Sequence, residues 1–358
     1  MKKKIFIALL GGGRIAEHHI KAIKKIKNFE LVAMTDLSKS KRDYFNKKFR
    51  IRTFKHYTSM LNKEKKIDIV VIMSPSGMHY EHASVIIKKF QKNIILEKPP
   101  CMNRSQVISL YNLAKKYKKK IYPVFQSRNN KCILKLRNEI NKNKLGKIRL
   151  VNLSLRWCRP QRYYNLSKWR GTYSHDGGVL TNQGIHYLDL VRYLFGDISI
   201  VSSRMKTFGA KIEVEDSVVG FFEFQNGALG SLELTTAARP KDYEAKISAV
   251  GSKGIVTIGG LSANILKEYS PDNSYCKKYS ENIPNAYGFG HFKMYEDIKD
   301  DFNKKKKYSI NFRDCLKTVE LINAFYVSDE KNKTVKVNSS GNSKRLGRAD
   351  KKISKIYK

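Results

Sequence analysis

The junction at residues 5–26 restricts the fold more than any other stretch. Ile5–Leu10 is an unbroken apolar run ending in Gly11-Gly12-Gly13-Arg14-Ile15-Ala16, and a helical pattern (Ile15, His19, Ala22, Ile23, Ile26) follows. A G-x-G-x-x-A segment between strand and helix gives each small residue a task. Gly11 permits the tight turn, Gly13 lets a pyrophosphate approach the backbone, and Ala16 allows close helix–strand packing. The helix start then offers N–H groups to phosphate. A second strand, Glu30–Thr35, ends at Asp36, where a carboxylate accepts hydrogen bonds from ribose hydroxyls and repels a 2′-phosphate, favouring NAD. Lys39 and Lys41 lie nearby.

The alternation continues. Ile67–Met73 is followed by Ser74-Pro75-Ser76-Gly77-Met78-His79 and a helix to about Lys89. Ile94–Leu96 precedes Glu97-Lys98-Pro99-Pro100, then a helix from about Arg104 to Tyr117 and a strand at Ile121–Phe125. Short apolar strands alternating with amphipathic helices predict a parallel doubly wound sheet, with ligands at the carboxyl ends of its strands. Gly11–Gly13, Asp36, Ser74 and Lys98 all fall at such ends. Lys98 reads either as a solvated surface lysine or as a cation held near Glu97 that polarises a substrate oxygen. His79, Glu81 and His82 do not complete a metal-ligand set, so no metal is expected.

The second half has a different texture. A helix at Asn130–Lys144 and a strand at Lys147–Trp157 lead into a loop with Arg159, Tyr163, Tyr164, Trp169 and Arg170. Next comes Gly177–Gly196, read as a helix nearly apolar all round, hence buried, with Asn182, His186, Asp189 and Tyr193 as a narrow polar stripe. Such a stripe needs buried partners or faces a cleft. Strands are expected at about 198–207, 214–225, 228–237, 243–250, 254–258 and 262–269, with Asn226-Gly227 as a tight hairpin. The fold class is therefore α/β: a Rossmann domain at 1–125, and an α+β domain at 126–337 with a large, mostly antiparallel open sheet. A basic tail at 338–358 is expected to be disordered.

Composition sets the outer limits. The formal charge is +40 over 358 residues, and 53 of the 71 basic residues are Lys spread along the chain. That scatter speaks for a solvated surface rather than a nucleic-acid track, and no nucleic-acid partner is expected. Residues 151–250 hold seven Arg and five Lys, a local Arg excess suited to an anionic small molecule. The five widely spaced cysteines favour a reducing cytoplasm. Ile5–Leu10 is short of the roughly 7–15 residues of a signal core. No run approaches the ~18 apolar residues of a membrane span, so no membrane partner is expected.

Three motifs in order, Gly11-x-Gly13-Arg14-Ile15-Ala16, Glu97-Lys98-Pro99 and Gly177-Gly178-x-Leu180 with His186 and Asp189, resemble the glucose–fructose oxidoreductase, inositol dehydrogenase and rhizopine-catabolism (Gfo/Idh/MocA) superfamily. The resemblance covers residues 3 to about 337. Within that group the chain is most similar to the UDP-N-acetyl-2-amino-2-deoxyglucuronate 3-dehydrogenases of bacterial surface-polysaccharide synthesis. Stretches that carry this include Arg159-Pro160-Gln161-x-Tyr163-Tyr164, Trp169-Arg170-Gly171-Thr172, Asn182-Gln183, Ile212-Glu213-Val214-Glu215-Asp216 and Tyr287-Gly288-Phe289-Gly290-His291. Most of the superfamily has Asp where this chain has Asn182; the named subfamily shares Asn.

The resemblance implies NAD-dependent oxidation of the 3-hydroxyl of a UDP-N-acetylaminosugar (UDP-N-acetylglucosaminuronate), with free sugars, inositols and UDP-N-acetylglucosamine as alternatives. The basic charge leaves a non-enzymatic nucleotide- or nucleic-acid-binding protein as a distant alternative. His186 is expected to take the hydroxyl proton, Lys98 to bond the same oxygen, and Asn182 to orient. Cofactor contacts are expected from Gly11, Gly13, Arg14, Ile15, Asp36, Ser74, Pro75, His79, Glu97, Lys98, Gln126, Trp169 and Arg170. Arg159, Tyr163, Arg170, Lys241, Tyr287 and His291 join the catalytic three in holding substrate. The open sheet argues for a homodimer or homotetramer.

Overall fold

A computed structural model describes residues 4–358. The chain divides into two compact units: unit 1 is Met1–Val124, His291–Cys315 and Asp350–Lys358, and unit 2 is Phe125–Gly290 and Leu316–Ala349. Unit 1 therefore takes in two later segments beyond the first 125 residues.

Unit 1 opens with β1 (Ile5–Leu10), α1 (Ala16–Lys25), β2 (Phe29–Thr35), α2 (Lys39–Phe49), β3 (Arg52–Phe54), α3 (Tyr57–Lys63) and β4 (Ile69–Ile72). After these come α4 (His79–Val85), β5 (Asn93–Leu96), α5 (Arg104–Lys116) and β6 (Ile121–Pro123). The strands form one parallel sheet in the order β3-β2-β1-β4-β5-β6. β1 and β4 are apolar because both faces of the sheet are covered: Ile7, Ala8, Leu9 and all of Ile69–Ile72 are fully buried. α1 buries Ala16, His19, Ile20, Ala22 and Ile23 along one face, while Lys24 and Lys25 close its last turn, where the helix dipole favours cations. Ser38 caps α2 and Asn103 caps α5 through their side chains. The strand order reverses between β1 and β4, the switch point at which such sheets bind ligands.

Unit 2 contains α6 (Lys131–Asn141), β7 (Ile148–Arg156), α7 (Gln161–Tyr164), α8 (Val179–Asn182) and α9 (Ile185–Phe195). Six strands follow: β8 (Ile198–Lys206), β9 (Ser217–Phe224), β10 (Leu229–Thr235), β11 (Glu244–Gly251), β12 (Ile255–Gly259) and β13 (Ile265–Tyr269). The remaining elements are α10 (Ser274–Tyr279), α11 (Gly290–Phe302), α12 (Phe312–Lys331) and β14 (Val335–Lys336), with the division between units falling within α11 and α12. The eight-stranded sheet runs β13-β12-β11-β7-β10-β9-β8-β14 and is antiparallel except for the β7/β10 pair. The expected hairpin is present, with Gly227 at φ +82 and Asn226 Oδ1 accepting from Ala228 N. α8 and α9 lie against one face of this sheet. On the other face Leu229 and Val250 flank Leu150 in register, and Leu150 is 53% exposed.

Two expectations need correction. Gly177–Gly196 is two helices, because a short first helix ends at Asn182 and the chain re-enters helix at Ile185. Residues 338–358 are not a disordered tail. Ser343 N donates to Asn323 Oδ1, Arg345 pairs with Asp329 and Glu330, Leu346 is buried, and Gly347 N donates to Tyr173 O. Lys351–Tyr357 then forms α13. Acidic groups on α12 absorb the basic charge that suggested disorder.

Candidate active site

The carboxyl ends of the unit 1 strands form a ready dinucleotide cradle. Gly11 adopts φ +104, and a Cβ there would come within 2.8 Å of the Met73 carbonyl oxygen, so only glycine fits. A Cβ on Gly13 would meet open space, leaving the backbone approachable. The N-cap of α1, Ile15, makes no side-chain cap bond, as suits a helix start that serves phosphate. Asp36 closes the other side: Gly12 N donates to its Oδ2 at 2.8 Å and Ser38 N to its Oδ1 at 2.8 Å. Arg14 is exposed, Ile15 and Ser74 are half-buried, and Pro75 is buried.

His79 was expected to touch cofactor, yet it is buried, with Nδ1 2.7 Å from the Pro99 carbonyl and Nε2 2.9 Å from that of Ser74. Its direct partners are thus the two loops that carry Lys98 and Ser74. Glu97 is buried as well. Its Oε1 lies 3.0 Å from His19 Nε2 and 3.8 Å from His291 Nε2, while its Oε2 accepts from Lys98 N at 3.1 Å. Burial pushes the Glu97 carboxyl up, but the hydrogen bonds and charge of His19 and His291 outweigh it and hold the group well below the usual range. His18, beside His291, is pushed down to about 3 by burial first and by its basic neighbours second.

His19, Glu97 and His291 also make a buried group whose ligand-type atoms all lie within 4.8 Å of one another, a spacing that a metal ion could use. The sequence reading did not assemble it, because the three positions are far apart in the chain. The cluster fixes the backbone from which the Lys98 side chain, half-buried, departs. His291 is 1% exposed, packed on the rings of His18 and His19.

In unit 2 the polar stripe on α8 and α9 splits. Asp189 is 1% exposed and takes both prongs of Arg128, at 2.7 and 2.6 Å, with Thr318 Oγ1 at 3.1 Å. That residue is a structural anchor. His186 and Asn182 keep intermediate exposure, and Asn182 Nδ2 donates to Asp176 Oδ1, whose second oxygen accepts from Gly171 N. Asp176 restores a carboxylate next to Asn182, a contact that the sequence reading did not assemble.

Beneath this turn lies Glu215, fully buried. Tyr326 Oη donates to its Oε1 at 2.7 Å and Leu180 N at 3.2 Å. A Cβ on Gly178 would sit 2.1 Å from the Glu215 carboxyl, which explains the glycine. Burial raises the Glu215 carboxyl to about 7, against the lowering pull of the Tyr326 bond.

The expected anion-binding side chains gather in the same unit. Arg170 donates to Tyr163 Oη at 2.6 Å and lies over the rings of Tyr163 and Trp169. Arg159 bonds Asp242 at 2.8 Å and lies over Trp157 and Tyr163. The buried Nε of Arg170 and Oε1 of Gln126 have no hydrogen-bond partner among the described residues. Lys241 is exposed and lines a hollow of about 460 Å³ with Arg156, Arg239 and Tyr243. Tyr287 is half-buried in the loop before α11.

A nucleotide cradle on a six-stranded parallel sheet, joined to a mixed-sheet unit bearing His186 and an arginine–aromatic cluster, defines an NAD-dependent oxidoreductase. Residues 5–125 match the model of an oxidoreductase family with an NAD-binding Rossmann fold, and residues 133–257 match that of the GFO/IDH/MocA C-terminal domain. The chain is 31% identical to a WlbA dehydrogenase from Chromobacterium violaceum solved with NADH and UDP-GlcNAcA (TM-score 0.86, covering 94% of this chain and 96% of that one). It is 27% identical to the Bordetella pertussis WlbA dehydrogenase solved with the same two ligands (TM-score 0.87, covering 94% and 98%). A D-glucoside 3-dehydrogenase from Escherichia coli is 24% identical over 79% of this chain and 88% of its own length. This chain belongs to the GFO/IDH/MocA oxidoreductase family and uses NAD.

Proposed function

We propose that the chain oxidises the 3-hydroxyl of UDP-N-acetylglucosaminuronate to the 3-keto sugar, within bacterial surface-polysaccharide (lipopolysaccharide) synthesis. The observation that carries this is the likeness, over 94% of the chain, to two dehydrogenases that hold NADH and UDP-GlcNAcA. The arginine–aromatic cluster supports it: guanidinium forks suit a diphosphate and a carboxylate, and aromatic faces suit a base.

NAD, when bound, supplies the electron acceptor; the cradle residues Gly11, Gly13 and Asp36 would hold it. The side chains handle the proton. His186 takes the hydroxyl proton as a general base. Lys98 hydrogen-bonds the same oxygen and stabilises its developing negative charge, while Asn182, held by Asp176, orients without adding charge. Arg159, Tyr163, Arg170 and Lys241 hold the anionic groups, and Tyr287 serves the nucleotide end. The protein works in the cytoplasm as a homodimer or homotetramer, with the open sheet face meeting a second copy.

The test is NADH production from UDP-GlcNAcA, UDP-GlcNAc, glucose and myo-inositol in parallel. UDP-GlcNAcA is expected to give the highest kcat/KM; a larger value for a free sugar or inositol overturns the substrate. Lys98→Met and His186→Asn are each expected to lower turnover roughly 100-fold or more with NAD binding intact. Near-normal turnover in both removes the assigned roles.

A further inference from the structure

α4 carries His79 and His82 one turn apart, and both address Ser74 at the end of β4. His79 Nε2 faces the Ser74 carbonyl, and His82 Nδ1 lies 2.9 Å from Ser74 Oγ. The other nitrogen of His82, Nε2, lies 3.0 Å from the backbone carbonyl oxygen of Tyr357 in α13. A carbonyl oxygen only accepts, so His82 Nε2 carries the hydrogen. In the neutral ring Nδ1 is then an acceptor, and the Ser74 hydroxyl must donate to it. Burial, partly opposed by the Tyr357 bond, pushes His82 down to about 4, so the ring is neutral at physiological pH.

The hydroxyl therefore spends its one hydrogen on His82 and shows only lone pairs elsewhere. An acceptor of that kind takes a ribose hydroxyl or a carboxamide N–H and disfavours a phosphate oxygen. Take away the Tyr357 carbonyl, and the tautomer of His82 and the direction of the Ser74 hydroxyl are no longer fixed. α13 is a short surface element, and just beyond it Lys358 pairs with Glu81 of α4 at 3.3 Å. α13 has seven residues, none of them buried, and its N-cap bond from Ile353 N to Asp350 Oδ1 is local. The preceding segment is held far more firmly, through Arg345 and Leu346.

We infer that α13 is a latch on the cofactor loop: the Tyr357 carbonyl sets the tautomer of His82, and His82, as a positioning residue, presents Ser74 to NAD as an acceptor. The inference rests on the proposal that Ser74 contacts the cofactor. The test measures the NADH dissociation constant for the full chain and for a chain ending at Ala349, each with Ser74 and with Ser74→Ala. Lys355→Pro, which breaks α13 without shortening the chain, is the second way of displacing the carbonyl, and melting temperature checks folding.

Removing the latch is expected to weaken NADH binding about three- to tenfold, the size of one hydrogen bond. Ser74→Ala is expected to weaken it similarly, with no further loss when the latch is also removed. His82→Asn, whose amide can turn either its oxygen or its NH2 to Ser74, is expected to weaken NADH binding about as much as latch removal does and to lose nothing further when the latch is removed. Unchanged affinity on latch removal, or an equal loss in the Ser74→Ala background, overturns the latch while leaving the Ser74 contact standing. Unaltered affinity in Ser74→Ala removes that contact and the latch together.

Discussion

Glu215→Gln is the sharpest probe of the ground under the candidate site. The carboxyl is fully buried and its value rises from 4.5 to about 7. A group raised on folding contributes its stability below the unfolded value, and that contribution is lost as pH climbs through the folded one. Between pH 4.5 and pH 7 the folded protein must therefore give up a proton from a buried site or keep it against the solvent. At about 1.4 kcal/mol per unit, the loss amounts to about 3 kcal/mol once pH exceeds 7.

Glutamine mimics the protonated acid and keeps the acceptor for Tyr326 and Leu180. Wild-type protein should lose about 3 kcal/mol between pH 4.5 and pH 8.5 relative to Glu215→Gln. For a unit of about 200 residues, that is a melting-temperature gap of roughly 6–12 °C at pH 8.5, closing at pH 4.5. Urea unfolding across this range gives the free energies directly. Parallel pH profiles for the two proteins would refute the argument, because a carboxyl that ionises freely in the folded state has no linkage to lose.

Asp189→Asn leaves the Arg128 guanidinium, 6% exposed, without its bidentate carboxylate, and should cost about 3–5 kcal/mol in urea unfolding. Asp36→Ser removes the charge that opposes a 2′-phosphate, so the ratio of kcat/KM for NAD over NADP should fall at least tenfold in steady-state kinetics. Leu150→Glu puts a charge in the exposed apolar row of the large sheet and should lower the mass seen by light scattering, with melting temperature little changed for a monomer.

Local signals carried the first unit. The strand–glycine–helix junction, Asp36 at the end of β2 and the alternation up to Phe125 are short-range patterns that can be read from neighbouring residues in the chain. The same holds for the strands of unit 2 and the Asn226-Gly227 hairpin, where period-two burial and turn chemistry are written locally. Tertiary structure alone decided what lies between distant positions. It gave Asp189 to Arg128, joined His19, Glu97 and His291, set Glu215 against Gly178, and folded the basic tail onto Asp329 and Glu330. Periodicity reports which face of an element is buried; it does not report which polar group waits on the other side. Burial makes those pairings obligatory, because an unmatched charge in the interior costs several kcal/mol, but only the folded chain says who the partner is.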